Sequence, residues 1–394
     1  MWFRAATRIA GKQGGGVRQV WTAETIFDGT RLVRNRALLV SEGRVVGLIP
    51  VMQLAPDAAR VDLGEGILCP GFIDLQVNGG GGALLGQGDP DTGLETICAA
   101  HARMGSTGVL PTLITGSPQV TQAVLAAAAR AARRGLPGFL GLHLEGPFLD
   151  PARRGAHDPA LIRPMTSDDL ELLVRAAARL PVLKVTLAPE SVTPDKIAAL
   201  ARAGVIVSLG HSDATEEAAR VAMGAGASVV THLFNAMSPL SHRAPGLVGA
   251  ALDSAVWAGI IPDGVHVSAT AFRLALRAKP GRMFAVSDAM AVAGTDLTEF
   301  TLNGRRIARA EGRLTLADGT LAGADISLPR AVGWMVRQAG VELATALAMV
   351  TSLPARVIGA KGRGVLAPGA RADLVHLTPQ FGVRGVWRAG QPVA

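Results

Sequence analysis

Tyrosine is absent from this 394-residue chain, aromatic residues make up 4% of it, and only two cysteines occur. Each shortage excludes something. Two cysteines, Cys69 and Cys98, cannot build a disulfide framework or a cysteine-rich zinc site, and they read as small packing residues. So few aromatics leave no platform on which nucleic-acid bases could stack. Lysine is scarce as well: most of the 39 basic residues are Arg, scattered among Ala and Gly, so the net charge of +8 forms no basic block. Nucleic acid is therefore not an expected partner, whereas a small anionic substrate is compatible with the charge. No uncharged apolar run reaches the roughly 18 residues of a membrane span, so no membrane partner is expected. Arg4 and Arg8 interrupt the first apolar stretch and make it a poor signal peptide. The expectation is a soluble, cytoplasmic protein.

Hydrophobic residues reach 49% and charged ones 18%, enough for a large core and too apolar for disorder. The length suits an α/β barrel of about 250 residues with an appendage. Residues 1–16 are basic, contain Gly14-Gly15-Gly16, and read as a loose arm. From 17 to 68 short β segments alternate with turns such as Asp28-Gly29 and Glu42-Gly43, and 364–394 repeat this texture. Both ends together suggest one small β-sandwich, with residues 300–322 as a further candidate contribution. The stretch 69–363 contains the catalytic barrel. In it, short apolar runs alternate with Ala/Leu/Arg-rich amphipathic runs, giving eight βα-like units, as a (β/α)8 TIM-like barrel requires. No G-x-G-x-x-G follows a strand, which disfavours the doubly wound alternative.

Polar residues collect at the ends of those expected strands. Gln76 and Asn78 end the first, His143 and Glu145 the third, His211 the fifth, His232 the sixth and Asp288 the eighth. His266 lies just past the seventh, and His157 follows the third by a loop. In a barrel these points share the C-terminal rim, where active sites sit. Glu145, His211 and His232 make a carboxylate-plus-two-imidazole set, the pattern of a catalytic divalent metal with a position left for water. Each could alternatively be a hydrogen-bonded residue at a strand end. Asp288 could exchange a proton with metal-activated water or cap the turn that follows it. Asp213 reads as a helix cap. The run Gly79 to Gly82 lacks the G-K-[ST] of a phosphate loop, while His242-Arg243 offers a cation for an anion.

G-L-H-L-E-G-P-F, R-G-A-H, T-L-A-P-E, G-H-S-D-A-T, T-H-L-F-N-A-M, H-R-A-P-G-L-V-G-A, D-G-V-H and S-D-A-M follow in order over 141–290. With P-G-F-I-D-L-Q-V-N-G-G-G-G, they make the chain resemble the N-acetylglucosamine-6-phosphate deacetylases of the amidohydrolase superfamily, from about residue 23 onward. The resemblance implies Glu145, His211 and His232 as metal ligands and Asp288 as general base and acid. It implies His157 near the acetamido group, with Asn235, Ala236, Arg243 and His266 as phosphate and sugar contacts; Gln76 and Asn78 join the substrate-facing set. Arg243 would reach the neighbouring subunit's site, which implies a homodimer. Many amidohydrolases carry His-x-His where this chain has Gln76-x-Asn78, and Lys184 sits at the start of strand four, where it cannot become a bridging carbamate. Amides bind zinc poorly, so one divalent metal is expected, zinc or else iron. Ala324 stands where the family more commonly has Ser after L-A-G. The implied reaction is hydrolysis of the acetamide of N-acetylglucosamine 6-phosphate. The alternatives are another N-acyl substrate, such as N-acetylgalactosamine 6-phosphate or an N-acyl amino acid, or a non-catalytic sugar-phosphate binder.

Overall fold

The computed structural model describes residues 18–55 and 58–393. The expected arm at 1–16 lies outside the described residues.

Eight parallel strands form one sheet in sequential order. They are β1 (Phe72–Val77), β2 (Ser106–Ile114), β3 (Leu142–Glu145), β4 (Leu183–Leu187), β5 (Ile206–Leu209), β6 (Val229–Val230), β7 (Trp257–Ile260) and β8 (Met283–Ala285). The ring closes beyond the last strand. Val77 bridges Ala289 in parallel, the Asp288 amide donates to the Gln76 carbonyl at 3.1 Å, and the Asn78 amide to that of Ala289 at 2.9 Å. The expected barrel is therefore present. Helices α1 (Pro90–Arg103), α2 (Pro118–Arg133), α3 (Ser167–Ala177), α4 (Pro194–Arg202), α5 (Glu216–Gly224), α6 (Gly246–Leu252), α7 (Ala269–Ala278) and α8 (Leu328–Arg337) lie between or after the strands. Local sequence starts them: Asp89 before Pro90 and Ser117 before Pro118 accept amide hydrogens of the first turn, and Thr166 with Asp169 forms a reciprocal capping box. At α5 the cap is Thr215, not Asp213, whose carboxylate instead meets Arg153 at 2.6 Å. Thr215 directly precedes the helix, and Asp213 is two residues too early.

Side chains two apart on a strand share a face. Asp74 and Gln76, His143 and Glu145, and Lys184 and Thr186 are all buried, so the barrel interior is unusually polar. Hydrogen bonds join its members: His143 Nδ1 to Thr112 (3.1 Å), His143 Nε2 to Thr186 (2.7 Å), and Thr231 to both Thr186 and Ser208 (2.6 Å each). His143, expected at the strand end, is the second residue of β3 and is thus fixed beneath the mouth.

The two chain ends meet in a six-stranded sheet, where Ile67–Pro70 pairs antiparallel with Leu374–Leu377. A four-stranded sheet, Arg44–Pro50, Arg36–Ser41, Arg18–Thr22 and Val61–Asp62, faces it. Trp21, Leu38, Val40, Leu68 and Leu374 fill the space between. Arg388 fastens these sheets to the barrel, donating to the carbonyls of Thr107 (3.2 Å) and Cys98 (3.1 Å). The segment expected as a further contribution to the sandwich goes elsewhere. Strands β9 (Glu299–Leu302), β10 (Arg305–Ala310), β11 (Arg313–Thr315) and β12 (Leu321–Ala324) form their own antiparallel sheet. Its apolar side chains Leu302, Ile307, Leu314 and Ala322 pack on Leu84, Met290 and Val292 beside the barrel mouth. Ala324, for its part, bridges Ala289 next to Asp288. Among the described residues no helix is long and apolar enough to cross a membrane.

Candidate active site and metal centre

Glu145 is the last residue of β3, whereas His211 and His232 lie two residues beyond β5 and β6. The two histidines and Asp288 all adopt left-handed backbone conformations, with φ of 50°, 29° and 49°. Such backbone costs a non-glycine residue on the order of 1–3 kcal/mol, and it turns each side chain back over the barrel axis. The ligand atoms of Glu145, His211 and His232 lie within 4.8 Å of one another. His232 Nε2 is 3.0 Å and His211 Nε2 3.4 Å from Glu145 Oε1, and the two ring nitrogens are 3.1 Å apart.

This arrangement fits a divalent cation. His211 Nδ1 lies 2.9 Å from the Arg153 carbonyl, which only accepts, so that nitrogen carries the proton and Nε2 presents a lone pair. That lone pair, the Glu145 carboxylate and His232 Nε2 then converge on one buried point. Close by, the buried Gln76 Oε1, Asn78 Oδ1 and His232 Nδ1 have no protein partner among the described residues.

Asp288 sits across the mouth. Gln76 Nε2 (3.1 Å) and Asn78 Nδ2 (2.7 Å) both donate to its Oδ1, and the same Gln76 amide donates to Glu145 Oε1 at 3.0 Å. Gln76 and Asn78, both expected to face substrate, brace Asp288; Asn78 is on the cavity wall described below and Gln76 is not. With Oδ1 taken, Oδ2 is left for proton transfer. Burial, then the nearby Glu145 charge, pushes the Asp288 carboxyl above its ordinary value, a direction that suits a base working near neutrality.

His157 stands edge-on to His211 with ring centroids 4.4 Å apart. The Thr115 amide donates to its Nδ1 at 3.4 Å, and the Thr115 hydroxyl lies 2.8 Å from the same atom. An amide can only donate, so Nδ1 is the acceptor and the proton resides on Nε2. Burial pulls this imidazole down to about 3, leaving a neutral ring with one N–H to offer.

A cavity of about 250 Å³ joins these groups. Its wall includes Asn78, Glu145, His157, His211, His232, Asn235, Ala236, His266 and Asp288, and is roofed by Leu302 and residues 320–323 from the β9–β12 sheet. Among the described residues the wall contains no Lys or Arg. Arg243 is exposed on the loop before α6 and is not brought to this chain's own cavity. Other features escaped the sequence reading. Thr115, which sets the His157 proton, and the carbonyl of Arg153 give no residue-type signal, while Asp263, 2.6 Å from His266, is visible only as the first residue of D-G-V-H.

Residues 67–393 match the model of the amidohydrolase family. The chain is 41% identical to an N-acetylgalactosamine-6-phosphate deacetylase of Shewanella, over 91% of this chain and 92% of the relative. It is 36% identical to an N-acetylglucosamine-6-phosphate deacetylase of Haemophilus influenzae, over 91% and 95%. The crystal structure of N-acetylglucosamine-6-phosphate deacetylase from Pasteurella multocida superposes with a TM-score of 0.92 at 34% identity, covering 95% of this chain and 99% of that one.

Proposed function

The chain belongs to the amidohydrolase family, and we propose that it hydrolyses the acetamide of N-acetylglucosamine 6-phosphate to glucosamine 6-phosphate and acetate. The observation that carries the reading is the convergence of three metal-ligating side chains, a braced carboxylate and a neutral imidazole N–H on one cavity. The names of its relatives narrow the substrate class. A divalent metal, zinc or else iron, would be held by Glu145, His211 and His232. When bound, it supplies Lewis-acid polarisation and lowers the pKa of water from about 15.7 towards ~7.

The chain's own groups supply the rest. Asp288 Oδ2 accepts the proton of the attacking water while Gln76 and Asn78 hold Oδ1 in place. His157 Nε2–H donates to the oxyanion that forms from the amide carbonyl, a role worth a few kcal/mol in comparable sites. Asp288 then returns its proton to the departing amine nitrogen, which prevents the tetrahedral intermediate from collapsing back. Asn235, Ala236 and His266 contact the sugar phosphate. Among the described residues no Lys or Arg lines the cavity wall, which supports a homodimer in which the partner's Arg243 completes the anion site. A cytoplasmic location accompanies this reading, since a phosphate ester does not cross a bilayer unaided.

A second reading is favoured by the 41% identity to an N-acetylgalactosamine-6-phosphate deacetylase: the C4 epimer would be the preferred substrate. Acetate release is to be measured from both hexosamine phosphates and from the unphosphorylated sugars, before and after chelation and zinc return. Metal-dependent release from the phosphate esters alone is expected. Equal release from the free sugars removes the phosphate site, and faster release from the galacto epimer selects the second reading.

A further inference from the structure

We propose that Asp263 is a positioning residue that fixes the protons of His266, so that one ring nitrogen is committed to binding the substrate; this rests on the deacetylase reading above. Asp263 opens the turn after β7. Its Oδ1 accepts from the amides of Val265 and His266, both at 2.8 Å, and its Oδ2 lies 2.6 Å from His266 Nδ1. The two side chains are only 5% and 8% exposed. Burial opposes the Asp263 charge, but the His266 ring and the two amides hold the carboxyl below its ordinary range.

A carboxylate only accepts, so His266 Nδ1 carries a proton. Nε2 is then the single polar ring atom left for the cavity that His266 lines together with Asn235 and Asp288. Held this way, His266 keeps Nε2 turned toward an oxygen of the bound hexosamine phosphate. Among the described residues the wall has no Lys or Arg, so this pair is the means by which the chain fixes a polar ring atom for the substrate there. Asp263 touches neither the reacting amide nor Asp288, so its effect belongs to binding.

The test is Asp263→Asn. The amide oxygen still caps the two backbone amides, preserving the turn, but its N–H now faces Nδ1 and forces that nitrogen to accept. Long-range proton–nitrogen NMR of histidine-labelled protein is expected to show His266 Nδ1 changing from protonated to unprotonated. KM for the hexosamine phosphate should rise about tenfold or more while kcat stays within about threefold. Because Asp263 acts through His266, Asp263→Asn added to His266→Gln should raise KM no further than His266→Gln alone. An unchanged Nδ1 signal, additive losses in the double variant, or a fall confined to kcat would overturn the proposal. Should the wild type release acetate from no hexosamine phosphate, the deacetylase reading falls, and the NMR comparison still decides the role of Asp263.

Discussion

Asp74 offers the sharpest test of the electrostatics beneath the site. It lies fully buried on β1, where its oxygens accept from the Ser287 amide (3.2 Å to each) and from the Gln76 amide (3.2 Å). Burial is the main cause that pushes its carboxyl from 3.8 to about 7, against these bonds. The folded chain thus binds this proton more tightly than the unfolded chain. The resulting stability is present in full below about 3.8 and is lost as pH rises through about 7. At about 1.4 kcal/mol per pH unit, that loss amounts to about 4 kcal/mol. Asp74→Asn keeps an acceptor for both amides and never ionises. Any fixed cost of its extra N–H group cancels when the two proteins are compared across pH. Relative to wild type, the variant should gain about 4 kcal/mol between pH 4 and pH 8. At about 2 cal/mol/K per residue of unfolding entropy, this is a relative rise in Tm of about 5 °C. Thermal unfolding of both chelated proteins across that range is the measurement, chelation preventing a bound cation from adding its own field. A Tm difference that stays constant from pH 4 to pH 8 would refute the argument.

Two further outcomes follow from the geometry. Asp288→Asn removes the proton acceptor while leaving an oxygen for the Gln76 and Asn78 amides, so kcat should fall about 10²–10⁴-fold with KM little changed. Steady-state acetate release at several substrate concentrations checks this, and near-normal turnover would end the assignment of Asp288. Phe272 on α7 is fully buried and meets Trp334 of α8 edge-on, with centroids 5.5 Å apart. Phe272→Ala should therefore cost about 3–5 kcal/mol in urea unfolding, and a loss under about 1 kcal/mol would mean that this helix contact is not part of the rigid core.

Much of this molecule is legible in one dimension because its signals are local or periodic. Alternating apolar runs and amphipathic runs define a parallel barrel, and since every strand of such a barrel points the same way, residues at successive strand ends must share one rim. That rule is enough to group Glu145, His211, His232 and Asp288 without knowing a single distance. The β texture at both chain ends likewise announces sheets, because strand alternation and turn residues are short-range properties. Sequence does not determine which sheet a strand joins. Residues 300–322 carry the same texture as the ends, yet their apolar faces fit Met290 and Val292 at the barrel mouth, and so they roof the cavity. Nor does sequence assign protons. The Thr115 amide reaches His157 across 42 positions, and the Arg153 carbonyl reaches His211 across 58. Backbone groups are identical at every residue, so only the fold decides which imidazole nitrogen donates and which presents a lone pair. The same holds for Gln76, whose amide joins Glu145 to Asp288 over separations of 69 and 212 residues. Residue type at a strand end identified the chemistry available here; three-dimensional proximity alone fixed its protonation, its bracing and its cover.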